Sequence, residues 1–174
     1  MICAWVSGIS SHPAQPRDTL WSLIVSGRSP PEPRSAYPHL LEITTRWNDN
    51  DPYRHVNNAV YYEYFDTVVN QFLIENGALD VERSQVIGLV VETQCRFFSQ
   101  IAFPSKVHAG LRVSHLGTSS VRYEIGLFRD DDETTAAQGH FVHVYVDRAT
   151  GRPVPLPTQL KELLASILVA PLRS

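Results

Sequence analysis

The sequence predicts an α+β fold in which a curved antiparallel sheet wraps around one long helix, with a second helix at the C-terminal end. Three observations carry this. One 19-residue amphipathic segment, residues 58–76, stands alone among segments of strand period; four β-rich segments follow it in succession; and a short helical pattern closes the chain. A single helix and a sheet, each with one apolar face, satisfy both faces only by packing against each other.

The first strand begins where Leu41, Ile43 and Thr45 alternate with Glu42, Thr44 and Arg46. A polar stretch, residues 48–57, precedes the helix. In the helix Tyr61, Phe65, Val68, Val69 and Phe72 share one face, Glu63, Asp66, Thr67, Asn70 and Gln71 the other, and Gly77 supplies the terminating C′ residue. Strands are expected over 86–99, 106–116, 120–129 and 136–147, rich in Val, Tyr, Phe and Ile. Turn residues at 103–105, 117–119 and 130–132 separate them, so consecutive strands should pair as an antiparallel meander. The last helix, 158–169, gathers Leu160, Leu163, Leu164, Ile167 and Leu168 on one face, with Thr158 as its N-cap.

Residues 1–39 differ in kind. They hold half of the twelve prolines and show no sustained period, which reads as an arm preceding a domain at 40–174. The arm is expected to be disordered or the product of an upstream start codon, with organelle import as a third reading. Two cysteines, Cys3 and Cys95, fit a reducing, cytoplasmic compartment rather than a disulfide framework. A formal charge of −3 lacks the basic footprint of a nucleic-acid binder, and no apolar run approaches the roughly 20 residues of a membrane span. A lone sheet leaves an exposed edge, so a homodimer or tetramer is expected.

The chemistry concentrates in residues 46–58, where Asp51, His55, Asn57 and Asn58 lie between a strand and the start of the main helix. Free N–H groups in the first turn and the helix dipole favour an oxygen that gains negative charge. A carbonyl held there would meet Asp51 as a nucleophile, or as a base acting on water, and either route is acyl transfer.

These residues resemble the hot-dog-fold acyl thioesterases, in particular the 4-hydroxybenzoyl-CoA thioesterase type and its acyl-CoA relatives. The resemblance spans residues 41–169 and rests on strand order, D-x-D-P at Asp49–Pro52, H-V-N-N at His55–Asn58 and the helix that follows. It implies hydrolysis of acyl-CoA, or acyl-ACP, without a cofactor, with Asp51 as the catalytic carboxylate and the Asn58 amide polarising the thioester carbonyl. The segment is also similar to the D-x-N-x-H-V-N-N element of plant acyl-ACP thioesterases; Asp51 and His55 match it, whereas Tyr53 stands in place of the asparagine.

Asn57 orders the turn or orients pantetheine, and Tyr61 lines the acyl tunnel. The loop Gly117–Ser120 lacks the basic residues that some relatives place against CoA phosphates, which leaves Arg54, Lys106, Arg112 and Arg122 as candidates. No metal is expected, since His140 and His143 point to opposite faces of one strand. Two rival readings remain at this level: a hydratase or dehydratase pairing His55 with Glu63, for which an H-F-P-G element is absent, and an acyl-CoA sensor that performs no chemistry.

Overall fold

The computed structural model describes residues 30–169. Its elements are β1 (His39–Thr44), α1 (Asn58–Glu75), β2 (Val86–Phe97), β3 (Lys106–Leu116), β4 (Ser120–Arg129), β5 (Ala137–Asp147) and α2 (Thr158–Ala165). Each strand and helix expected from the sequence is present, most within two residues of its expected bounds.

The five strands form one antiparallel sheet in the order β1-β3-β4-β5-β2. Strands β3, β4 and β5 form the expected meander, but β2 does not pair with β3. It pairs with β5 at the far edge, Val86 opposite Asp147 and Phe97 opposite Ala137. Turn residues at 103–105 mark the end of a longer connection, which passes the ends of β5 and β4 and hydrogen-bonds to both on the way: Phe98 N–H and Ser99 N–H donate to the Ala136 carbonyl, and Arg129 donates to that of Gln100. Turn chemistry specifies where a strand stops, not which neighbour it takes.

Helix α1 packs on one face of the sheet. Tyr61, Phe65, Val68, Val69 and Phe72 are all buried, in one cluster with Val107, Ala109, Leu111 and Val113 of β3 and Val121, Tyr123, Ile125 and Leu127 of β4. Every second residue of β3, from Val107 to Val113, therefore faces the helix. Gly77 has φ +69°, the left-handed C′ position at which a β-carbon is unfavourable. In α2, Leu160 and Leu164 are buried, but the helix ends at Ala165 and Leu168 is 47% exposed. Thr158 is its first helical residue; Pro157 occupies the N-cap position and no side chain caps the end. A proline ring fixes φ near the value a helix entry needs, so the start is set without the threonine hydroxyl.

The packed region also begins before residue 40. Tyr37 is buried on the opposite face of the sheet, lying over Gly110 and Gly126, where a β-carbon would come within 2.7 and 2.5 Å of the ring. Arg112 stacks on this ring and holds Glu32 at 2.7 Å and Glu124 at 2.6 Å. Prolines in this stretch obscured a short, well-anchored strap. The rest of the arm, residues 1–29, lies outside the described residues.

Candidate active site

The loop between β1 and α1 is a closed turn built around Asp51. Its N–H donates to the His55 carbonyl at 2.8 Å, and its carbonyl accepts from Arg54 N–H at 3.0 Å. The carboxylate folds back on the same turn, Oδ1 accepting from Tyr53 N–H at 2.8 Å and from His55 N–H at 3.3 Å. This is the behaviour of an Asp before proline: the extended backbone and the missing proline N–H leave the carboxylate to bond the next free donors. The side chain is half-buried, and Oδ2 has no hydrogen-bond partner among the described residues.

The loop is fastened to the connection between β2 and β3. Val56 N–H donates to the Ile101 carbonyl at 2.8 Å, and Phe103 N–H to Asn50 Oδ1 at 3.1 Å. Beneath it lies Asp49, 1% exposed, whose carboxylate accepts from Arg46 N–H at 2.7 Å, from the Arg46 guanidinium at 2.8 Å and from the Tyr64 hydroxyl at 2.8 Å. Of the two acids in D-x-D-P, the first is thus saturated and internal, and the second retains an unused oxygen. Sequence reasoning passed over Asp49 and Tyr64 as functional support. The signal was the 15-residue spacing of an acid before the helix and a tyrosine within it, which means nothing until the chain folds.

Asn57 is the N-cap of α1. Its Oδ1 accepts from Ala59 N–H at 2.9 Å, its carbonyl accepts from Val60 N–H, and its own N–H donates to the Asp49 carbonyl. The Asn58 N–H, between these, has no acceptor among the described residues. One unsatisfied donor at the positive end of an 18-residue helix therefore adjoins the Asp51 turn in the chain.

Tyr61 is buried one turn into α1, its ring edge-on to Phe97 at 4.9 Å. Burial pushes its phenol up from the usual range; a backbone donor at Ile101 opposes this, and the nearby Cys95 and Asp51 add to it. The phenol stays protonated and lies within electrostatic reach of the Asp51 carboxylate. His55 contributes its main chain to the turn, and its imidazole, half-buried, makes no hydrogen bond among the described residues. Arg54 is exposed, with φ +66°, a left-handed conformation costly for a residue with a β-carbon.

Of the four basic candidates for phosphate contacts, Arg112 is excluded by its place in the outer-face network, where its side chain is 5% exposed. Lys106 pairs with Glu42 at 2.9 Å, and Arg122 approaches Glu92 and Glu124 at 3.6 Å. Arg54 has no ion-pair partner among the described residues and lies in the site loop. Glu63 is exposed and paired with Arg46 at 3.1 Å, so nothing joins it to His55 as a dehydratase pair would require.

The matching family model is that of the thioesterase-like superfamily, over residues 45–164. The chain belongs to this superfamily; its fold is the hot-dog fold and its class of reaction is thioester hydrolysis. The crystal structure of the PA5185 protein from Pseudomonas aeruginosa strain PAO1 is similar at 49% identity, covering 80% of this chain and 97% of that one, with a TM-score of 0.78. A thioesterase from Thermus thermophilus, crystallised with coenzyme A and zinc, is similar at 27% identity over 76% of this chain and 95% of that one, TM-score 0.64. The YsmA protein of Bacillus subtilis strain 168 is 22% identical over 131 residues, 75% of this chain and 88% of that protein.

Proposed function

We propose that this protein hydrolyses acyl-CoA thioesters with Asp51 as the attacking or water-activating carboxylate. One observation carries the reading: Asp51 is held by two backbone N–H groups through one oxygen, with the other unengaged, in the turn leading to the open Asn58 N–H. The thioester carbonyl oxygen accepts from Asn58 N–H, and Oδ2 either adds to the carbonyl carbon or takes a proton from a water that does so. Collapse of the tetrahedral intermediate expels CoA thiolate, a far better leaving group than an alkoxide. In the covalent route water then cleaves the mixed anhydride, so both routes return free acid and CoA. Tyr61 lies under the acyl group as a protonated donor, His55 and Asn57 shape the turn, and Arg54 faces the CoA phosphates.

Coenzyme A as the carrier is supported by the T. thermophilus relative, whose crystals contain it; acyl-ACP is the alternative carrier. The active unit is at least a homodimer. Strand β2 is a sheet edge on which Leu89, Val90 and Val91 are 47%, 46% and 61% exposed, an apolar row that a second β2 would cover and pair.

A thiol-release assay on a series of acyl-CoAs tests the reading. Asp51→Asn should lower kcat at least about 100-fold with the fold intact by circular dichroism. Near-normal turnover by this variant would rule the assignment out. Single turnover in ¹⁸O water, followed by mass spectrometry of the Asp51 peptide, separates the two routes, because label enters the carboxylate only through the anhydride.

A further inference from the structure

At the end of α1 remote from Asp51 the described residues line a half-open cavity of about 360 Å³. Leu73 of α1, Leu79, Val86 of β2 and Leu160 of α2 supply its apolar walls. An apolar cavity of about 150 Å³ already admits a benzene ring, so this one is large enough for a compact acyl group. Most polar side chains in the lining are engaged within the fold. Asn70 donates to the Asp66 carbonyl, the Tyr145 hydroxyl lies 2.6 Å from that of Tyr123, and Arg148 donates to the carbonyls of Val81 and Glu82.

His143 is the exception. It is 5% exposed, its Nε2 is buried without a partner, and Nδ1 also makes no hydrogen bond among the described residues. Nδ1 lies close against Gly88, where a β-carbon would stand 2.9 Å away, so only glycine admits the ring in this position on the cavity wall. A polar group sealed from water and unpaired in the fold is an unfavourable arrangement unless something else completes it. Burial also drives the imidazole pKa down to about 4, which keeps the ring neutral and able both to donate and to accept.

The cavity lies some 15 residues along α1 from Asn58, about 22 Å at the rise of an α-helix. A second copy shortens that span. Helix α1 begins beside the end of β2, where Tyr61 meets Phe97, and ends beside its start, where Leu73 and Val86 share the cavity wall. Antiparallel pairing of two β2 edges sets the end of one strand against the start of the other, and so brings the Asp51 turn of one copy toward the cavity of its partner.

We propose that this cavity receives the acyl portion of the thioester attacked at Asp51 of the other copy, and that His143 confers preference for acyl groups with a hydrogen-bonding atom at the far end. The inference rests on the acyl-CoA hydrolase reading and on the β2-edged dimer. It assigns His143 as a specificity-determining residue and the substrate class as acyl-CoA bearing a distal hydroxyl or carbonyl.

The test compares kcat/KM for ω-hydroxyacyl-CoAs with methyl-terminated acyl-CoAs of equal heavy-atom count, in the wild type, His143→Leu and His143→Asn. The wild type should favour the hydroxylated member of the best-fitting pair. His143→Leu should lower that ratio about ten-fold, the effect of one neutral hydrogen bond, and His143→Asn, which keeps a polar atom near Nδ1, should restore most of it. If His143→Leu does not fold, Gly88→Ala serves: its β-carbon crowds His143 and the Tyr145 ring, and should lower kcat/KM for the longer acyl groups relative to acetyl-CoA. A ratio unchanged by His143→Leu, or by Gly88→Ala in its place, overturns the inference while hydrolysis itself stands. Absence of turnover with every acyl-CoA overturns the underlying reading and this one with it.

Discussion

Substituting Asp49 and Asp51 separately, each by Asn, separates the two acids of D-x-D-P by physical role. Asp49 is 1% exposed, and its Oδ2 accepts from Arg46 N–H and the Tyr64 hydroxyl while Oδ1 faces the Arg46 guanidinium. An Asn that keeps its carbonyl toward the first pair turns its NH₂ toward the guanidinium, donor against donor. Two charge-assisted bonds become neutral, at about 1 kcal/mol each, and one buried donor loses its acceptor, at about 1–3 kcal/mol. The Arg46 side chain is 66% exposed and can swing into water, so the lost ion pair itself adds less than about 1 kcal/mol. The sum is about 3–5 kcal/mol, a large share of the stability of an ordinary domain, and lowers Tm by roughly 6–20 °C. Urea titration should show Asp49→Asn shifted to a lower midpoint with most of its turnover kept per folded molecule, and Asp51→Asn with the opposite pattern. An Asp49→Asn protein as stable as the wild type yet as inactive as Asp51→Asn would refute this division of roles.

Other outcomes follow from the same contacts. Arg112→Leu strands Glu32 and Glu124 beneath the Tyr37 strap without their cation, and should cost about 3–5 kcal/mol in urea unfolding. Asn57→Ala removes the N-cap of α1 and should cost about 1 kcal/mol, with a larger proportional fall in kcat because the Asn58 N–H loses its alignment; thermal melts and thiol release measure the two. His143 has a folded pKa of about 4, below its value of about 6.5 in the unfolded chain, so the unfolded state takes up the proton first. Stability on this account is constant above pH 6.5 and falls by on the order of 3 kcal/mol as pH drops toward 4; stability curves of wild type and His143→Phe should therefore differ in slope between those two pH values and run parallel above them. Leu89→Lys combined with Val91→Lys should yield monomers by sedimentation velocity and abolish hydrolysis, whereas an active monomer would contradict the shared site.

Periodicity and local chemistry made much of this protein legible from its residues alone. The faces of α1, its stop at Gly77, the limits of β3 and β4 and the Asp51 turn all depend on neighbours a few positions away, and such neighbours are visible in a sequence. Strand order, the buried strap at Tyr37, the role of Asp49 and the cavity around His143 were set by tertiary structure. Each joins residues far apart along the chain: β2 passes over β3 to reach β5, Arg112 finds Glu32 across 80 positions, and Gly88 makes room for His143. Energies of such pairings depend on which groups lose their water together, and only the packed chain decides that.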